Sequence, residues 1–297
     1  MMTEQEKQWF DALTKDRTES ARTLAKPSMR GIQRSVVDKY SDQAHFIYEL
    51  LQNANDVKAT SARFRLEKAG LFFIHNGCIR FTVSNPQTED ADTSTGALGH
   101  INSITSIANS NKTEASIGKF GVGFKAVFQY TQTPHIYDNG FRFKIERFIV
   151  PHLLDSDLSW RESEETVFWF PFDHQVKNPD ECFEDILEKL KVLDFPTLFL
   201  SHLKSVSFEA PGNIGKYNKE VLISRQLADI EIQRIALTLD FNAQKTTQQL
   251  MTVARVDEKL LPYRIGYSLG VEDKLVPIDR SAFCFFPTKE VTNLQFV

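Results

Sequence analysis

Three cysteines in 297 residues, Cys78, Cys182 and Cys284, are too few and too far apart for a disulfide framework. With no CxxC pair they form no zinc ribbon either. Seven histidines are scattered without an HExxH or HxH spacing, so no metal cluster is legible. No apolar run approaches the ~18 residues of a membrane-spanning helix, and the opening MMTEQEKQWFDALTKDR lacks the apolar stretch of a secretory signal. The phosphate loop GxxxxGK[ST] is missing. Positive charge is in slight deficit: Lys+Arg 35 against Asp+Glu 39 gives a net charge of −4. That argues against general nucleic-acid binding, which needs clustered cations, although a local basic patch and DNA as a partner stay open. Together these absences lead to the expectation of a cytoplasmic protein that makes no use of a membrane.

What remains is ordinary for a folded chain, with 41% hydrophobic and 25% charged residues. At ~100–200 residues per domain this suggests two domains. Residues 4–25 suit a short amphipathic helix that breaks at Pro27. A long helix is expected from Ile32 to Val57, its apolar positions Val37, Tyr40, Ala44, Ile47, Leu51 and Ala54 stepping by three and four. Strands are expected at Ser61–Glu67 and Leu71–Ile74, the second ended by the turn signal Asn76-Gly77. Residues 82–117 are rich in Ser, Thr, Asn and Asp, too long for a passive connector. GKFGVG at 118–123 then leads into a helix at Phe124–Tyr130. Strand-like runs follow at 133–137, 141–148 and 166–172, a helix at 179–192, and strands at 205–209, 219–224, 230–240, 250–256 and 280–286. The alternating run Leu294-Gln295-Phe296-Val297 at the close suggests a piece of a longer protein.

Four short motifs carry chemistry. In ELLQNAND, Glu49, Asn53 and Asp56 are spaced i, i+4, i+7 and fall within roughly 60° on one helix face. An amide flanked by carboxylates is hard-oxygen ligation, suited to Mg²⁺ and phosphate rather than zinc. In IGKFGVGFK, glycines let a backbone approach an anion and aim successive N–H groups at it, with a helix start adding its positive end. FFIHNG is an apolar strand that ends in polar residues, and Thr166 opens another apolar strand. Alone, the first would suit a solvated helix face, the second a tight turn, and the third an ordinary hairpin turn. Their order along the chain is more telling.

That succession of helix, strand with Asn-Gly, polar loop, glycine box and Thr-bearing strand resembles the GHKL nucleotide-binding superfamily of gyrase, the ninety-kilodalton heat-shock chaperones, histidine kinases and MutL. IGKFGVGF is similar to the chaperone form of the glycine box. ELLQNANDVKATSARFRLE and FCFFPTKEVTNLQF look most like the sacsin-type branch. The resemblance implies an α+β fold, a two-layer α/β sandwich of GHKL (Bergerat) type over residues 1–175, followed by a truncated α/β adjoining segment at 176–297.

The resemblance also assigns roles. Glu49 matches the general base that orients and deprotonates the attacking water. Asn53 matches the Mg²⁺ ligand, and Asp56 the acid that supports the nucleotide side of the helix. Gly118, Lys119, Phe120, Gly121, Val122, Gly123 and Phe124 match the phosphate-cradling loop, and residues 86–117 match a lid in which Lys112 could reach phosphate. Thr166 matches a base-holding threonine, and Lys289 is a candidate for a γ-phosphate contact from the adjoining segment. Around the first glycine box the pattern departs. His75 stands where the superfamily has an Asp that accepts from the adenine amino group, followed by Asn76 and Gly77, and Ile79 replaces the second glycine. Neutral His or the Asn76 amide could accept there, but neither is an equivalent charged acceptor.

The function expected is Mg²⁺-dependent binding and slow hydrolysis of ATP, driving lid closure and switching in a larger multidomain protein of chaperone-like or bacterial-defence role. ATP and ADP, further domains of the same chain and a nucleotide-dependent homodimer are the partners considered. A nucleotide-sensing scaffold without turnover, and a MORC- or MutL-like DNA-transaction ATPase, are the alternatives.

Overall fold

The run SARFRLE alternates apolar and charged side chains, and it forms β1, Ser61–Glu67, with Ala62, Phe64 and Leu66 buried and their neighbours turned outward. A computed structural model gives the arrangement around it, describing residues 2–29, 31, 45–107, 123–255, 263–278, 281–284, 286–291 and 296. The helices are α1, Glu4–Leu24; α2, His45–Asp56; α3, Glu89–Thr95; α4, His100–Ile104; and α5, Pro179–Lys191. After β1 come β2, Gly70–His75; β3, His135–Tyr137; β4, Arg142–Glu146; β5, Val150–Leu153; β6, Thr166–Pro171; and β7, Ser205–Ala210. The later strands are β8, Asn213–Leu227; β9, Ile230–Phe241; β10, Gln244–Arg255; β11, Arg264–Leu269; β12, Leu275–Val276; β13, Ser281–Cys284; and β14, Phe286–Val291.

The expected two-layer α/β sandwich of GHKL type with a second, truncated α/β domain does not form. One mixed sheet of twelve strands dominates instead, in the order β12-β11-β10-β9-β8-β7-β1-β2-β6-β3-β4-β5. The reason lies at β1. Its free edge takes β7 in parallel register, Ser61 beside Ser205 and Arg65 beside Glu209. The long antiparallel strands β8 to β12 then extend that same sheet. Backbone N–H and C=O groups at a strand edge must find partners, and here the second half of the chain supplies them to the first. β13 and β14 form a separate two-stranded hairpin.

Local chemistry sets the elements. α1 opens with a capping box: the Glu6 amide donates to Thr3 Oγ1 at 3.2 Å, and the Thr3 amide donates to Glu6 Oε2 at 2.7 Å. α5 uses Asn178 and Glu181 in the same way, with Pro179 at its first turn. The segment after GKFGVG is a six-residue 3-10 helix, Phe124–Gln129, rather than an α-helix. Within residues 86–107, expected as loop, lie a 3-10 turn at Pro86–Thr88, then α3 and α4. The hairpin between β4 and β5 turns on Arg147 and Phe148, both at positive φ (49° and 76°).

One core joins α1, α2 and α5 to the faces of β1, β2 and β6 through Phe10, Ile47, Leu50, Phe64, Phe73 and Phe168, with Ile186 and Leu190 from α5. The Phe64 and Phe73 rings lie 4.8 Å apart in a tilted contact, and Phe73 lies 5.9 Å from Phe168. On the opposite face Phe72, Ile74 and Val167 are covered by Leu154 and Leu158, and the Arg65 guanidinium lies 4.3 Å over Phe72 and 4.2 Å over Trp160. Among the described residues, no helix is long and apolar enough to cross a membrane.

α2 is anchored to the start of β7 by Asn55. Its side-chain oxygen accepts from the amides of His202 at 2.8 Å and Leu203 at 3.2 Å, and the residue is 1% exposed. Replacing it orphans two backbone donors, which costs about 2 kcal/mol. Asn55→Ala should therefore lower the denaturation free energy by that amount in urea titrations. A loss below about 0.5 kcal/mol would show that the loop finds other acceptors.

Candidate functional site

The polar residues of α2 were expected on a half-solvated face, and α2 is instead buried almost all round. Ile47, Leu50, Leu51 and Ala54 are sealed, but so are Gln52, Asn53 and Asn55. Fully burying a large aliphatic side chain contributes ~1.5–3 kcal/mol, enough to hold the helix inside provided its amides are satisfied. Glu49 and Asp56 stand at the half-buried margin.

Glu49 meets the end of the glycine run. A Cβ built on Gly123 would fall 2.0 Å from Glu49 Oε2 and 2.4 Å from its carboxyl carbon. Only glycine lets the backbone come so near this carboxylate. The next residue, Phe124, is buried in the core, 6.1 Å from Phe168 and 6.2 Å from Phe170. The carboxylate of α2 and the mouth of the 3-10 helix thus form one corner of the molecule. Gly118, Lys119, Phe120, Gly121 and Val122, and Lys112 before them, lie outside the described residues, as does residues 32–44 of the expected long helix. Lys289 falls on β14, where only the backbone path is described.

One helical turn beyond Glu49, Asn53 opens into a small cleft of about 20 Å³ lined also by Val57, His75, Ile79, Arg80, Phe81, His100, Thr166 and Phe168. That is room for about one water molecule, far below the ~300–1,000 Å³ of ligand sites, so a larger ligand would require the lining side chains to move. His75 and Thr166 are direct register partners on the antiparallel strands β2 and β6, so they face the same side. Both are 5% exposed, and Asn53 is 8% exposed. His75 Nδ1 accepts the Gly77 amide at 3.1 Å, which places the ring proton of the neutral form on Nε2. Burial depresses its pKa from 6.5 to about 4.

Neighbouring groups hold the rest of the lining. Asp138 accepts the Phe81 amide at 2.6 Å, and those of Gly140 and Phe141 at 2.7 and 2.6 Å. Glu6, besides capping α1, binds the Arg80 guanidinium. Thr82 Oγ1 and His100 Nδ1 are 2.8 Å apart. Sequence reasoning missed Val57, Arg80, Phe81, His100 and Phe168. Only Phe168 carried a signal, two residues after Thr166 and so on the same strand face.

Two residues hold structural posts. The Asn76 side chain accepts from the amides of Thr60 and Ser61 at 2.9 and 3.0 Å and donates to Thr60 Oγ1 at 2.9 Å, tying the end of β2 to the start of β1. Gly77 is required by close approach, since a Cβ there would lie 2.4 Å from Val57 Cγ2. Lys125, two residues after Gly123, is fully buried. Its ammonium donates to the carbonyls of Ile104 at 2.8 Å and Phe148 at 2.7 Å, and its pKa is pushed well down by desolvation. Among the described residues, no group of three or more His, Cys, Asp and Glu could hold a metal ion.

With this geometry in view, residues 28–146 match the family described as the Sacsin domain, a segment that carries Glu49, Asn53, His75 and Gly123 and stops before Thr166. Over 124 residues the chain is also 33% identical to Protein NO VEIN of Arabidopsis thaliana, covering 39% of this chain and 4% of that protein. The chain therefore spans a small fraction of that relative's length.

The depressed pKa of His75 fixes a pH dependence. Between about 4, its folded value, and 6.5, its ordinary value, the unfolded chain binds the proton and the folded chain does not. Stability from this residue is therefore intact above about pH 6.5 and is lost as pH falls toward 4, by about 2 kcal/mol between pH 7 and 5. Urea midpoints of the wild type should drop more steeply over that interval than those of His75→Gln, and parallel curves would contradict the assignment.

Proposed function

We propose that the cleft between α2, β2 and β6 takes the base of a purine nucleoside triphosphate, ATP on the resemblance set out above, and that the chain hydrolyses it slowly with Mg²⁺. The observation that carries this reading is the contact of the Glu49 carboxylate with Gly123, one turn of α2 away from a cleft that Asn53, His75 and Thr166 share. An acid that can order water, a hard-oxygen amide and a largely apolar lining that would have to open for a base are brought into one region. From the GHKL ATPases the proposal takes the chemistry alone, not the sandwich.

Glu49 orients a water and takes its proton as the water attacks the γ-phosphorus, and the leaving diphosphate carries away the bond's electron pair. Its place at the half-buried edge of α2 gives it both a fixed backbone and access to water. Asn53 offers a side-chain oxygen with no charge to repel phosphate, which fits a magnesium ion that keeps most of its other ligands as phosphate oxygens and water. Bound magnesium supplies neutralisation of the phosphate charge. Val57, Phe81 and Phe168 exclude water from the base, and Thr166 offers it a hydroxyl. In a longer protein, ligand binding would draw residues 86–107 over the cleft and so switch the adjoining domains.

The roles separate by mutation. Glu49→Gln keeps the shape beside Gly123 and should lower phosphate release by about 100-fold or more, with MgATP affinity by calorimetry within about three-fold. Equal loss of both would assign Glu49 a structural role. Asn53→Ala should abolish the dependence of nucleotide affinity on Mg²⁺ concentration, and magnesium titrations that match the wild type would exclude Asn53 as the ligand.

A further inference from the structure

The sheet carries a second polar place, on the face turned away from α2. Alternation along β1 sends Ala62 and Phe64 into the core and leaves Ser61 and Arg63 on the other side. Register carries that face across β7 and β8. Arg63 lies beside Ser207 and Ser207 beside Lys216, and one rung along Ser61 lies beside Ser205. Together they line an open basin of about 240 Å³, against about 20 Å³ for the cleft at Asn53. Glu165, just ahead of β6, closes the end opposite Lys216.

Most polar groups of this basin have no protein partner. Among the described residues, the hydroxyls of Ser61, Ser205 and Ser207 and the Lys216 ammonium make no hydrogen bond or ion pair. Asp240, in register with Lys216 on β9, forms no ion pair with it within 4.0 Å. Arg63 makes one polar contact, to Glu165 Oε1 at 3.3 Å, and its side chain is 47% exposed. The other oxygen of that carboxylate, Glu165 Oε2, is buried without a hydrogen-bond partner. Buried polar atoms are nearly always satisfied, so this oxygen is a place for an incoming donor.

Arg63 and Lys216 stand two strands apart on one rung, roughly 10 Å between Cα atoms at ~4.8 Å per strand, with Ser207 between them. Their long stems let both heads close on one oxyanion at the ~2.8 Å of charge-assisted bonds, while the serine hydroxyls donate from the sheet below. We infer that this basin binds a small phosphomonoester. Its phosphate sits between Arg63 and Lys216 over Ser207, and its hydroxylated remainder points along Ser61 to Glu165, where a hydroxyl donates to the free carboxylate oxygen. Two cations match the double charge of a phosphate, and its tetrahedral oxygens reach both the cations and the serines. A carboxylate brings a single charge and a flat pair of oxygens, which leaves part of that row unused. The basin lies across the sheet from Glu49 and Asn53, and it stands whether or not a nucleotide binds there.

Ribose 5-phosphate and inorganic phosphate share the anion and differ in the hydroxylated remainder, so they are the probes. Calorimetry of the full chain at fixed ionic strength should show saturable binding of both, the ester about ten-fold more tightly. Lys216→Gln, a change at an exposed side chain, should weaken both by about ten-fold or more. Glu165→Ala releases Arg63, so it should bind inorganic phosphate at least as well as the wild type and lose the advantage of the ester. No saturable binding of either probe, or affinities unchanged in Lys216→Gln, overturns the inference. Equal affinity of the wild type for ester and phosphate overturns the ester and the part given to Glu165. Should Glu165→Ala fail to fold, the wild-type ratio and Lys216→Gln decide.

Discussion

The roll of α2 about its own axis is the constraint on which the rest depends. Tyr48 and Asn55 are seven residues apart and so lie on one side of the helix. The Tyr48 hydroxyl accepts the Asp194 amide at 3.0 Å, and the Asn55 amide oxygen accepts from His202 and Leu203. Both partners belong to the segment that runs from α5 into β7. Two pins at the ends of a two-turn lever leave the helix no freedom to rotate. Glu49 and Asn53, on the adjoining face, are thereby pointed at Gly123 and at the cleft. The second half of the chain thus orients the polar residues of the first, and the parallel pairing of β7 on β1 makes that orientation part of the sheet itself.

Buried charge around the cleft serves position before chemistry. Lys125 follows the glycine run by two residues, yet its ammonium closes the C-terminal end of α4 at Ile104 and bridges to Phe148 in the β4–β5 turn. The carbonyl end of a helix is where a cation is favoured, and the Phe148 ring 4.8 Å away adds a further cation–π contact. Arg17 of α1 holds Glu89 at 2.5 Å, and Asn102 donates to the same carboxylate oxygen at 2.9 Å. α3 and α4 are therefore moored to α1 and to the 3-10 helix at several points. Any movement of these helices must keep or exchange those bonds.

The period of the residues told the nature of the helices and strands, and the reach of their pairing stayed hidden. The face shared by Glu49, Asn53 and Asp56 follows from helix geometry alone, and β1 runs over the very residues its alternation marks. The helix expected at 179–192 forms as α5, and the structure adds its cap, Asn178 with Glu181. Three features were not legible. The joining of residues 61–65 to 205–209 spans nearly half the chain and leaves no local trace, so the continuation of one sheet was not foreseen. β5 is four residues with a mixed burial pattern, too short for a period. The lining residues Phe81 and His100 come from segments whose approach depends on Asp138 and Thr82, partners that no spacing rule joins. The burial of α2 was misjudged for a related reason. Amides count as polar in a pattern, but a satisfied amide can sit in a core as readily as a leucine.

The triplet His75-Asn76-Gly77 shows how such satisfaction fixes local structure. Each residue removes a degree of freedom from the next. Asn76 locks the end of β2 to the start of β1, and that fixes the path of the chain. Gly77 can follow the path only because it has no Cβ to strike Val57. Its amide then comes to rest on His75 Nδ1 and chooses the tautomer of the ring. A carboxylate at position 75 could also have accepted the Gly77 amide, but it would have kept lone pairs to spare for the cleft. Imidazole has one acceptor in its neutral form, and the turn consumes it. The tautomer of His75 is therefore settled by a backbone hydrogen bond, and a feature that reads in sequence as an ordinary Asn-Gly turn fixes which ring nitrogen carries the proton.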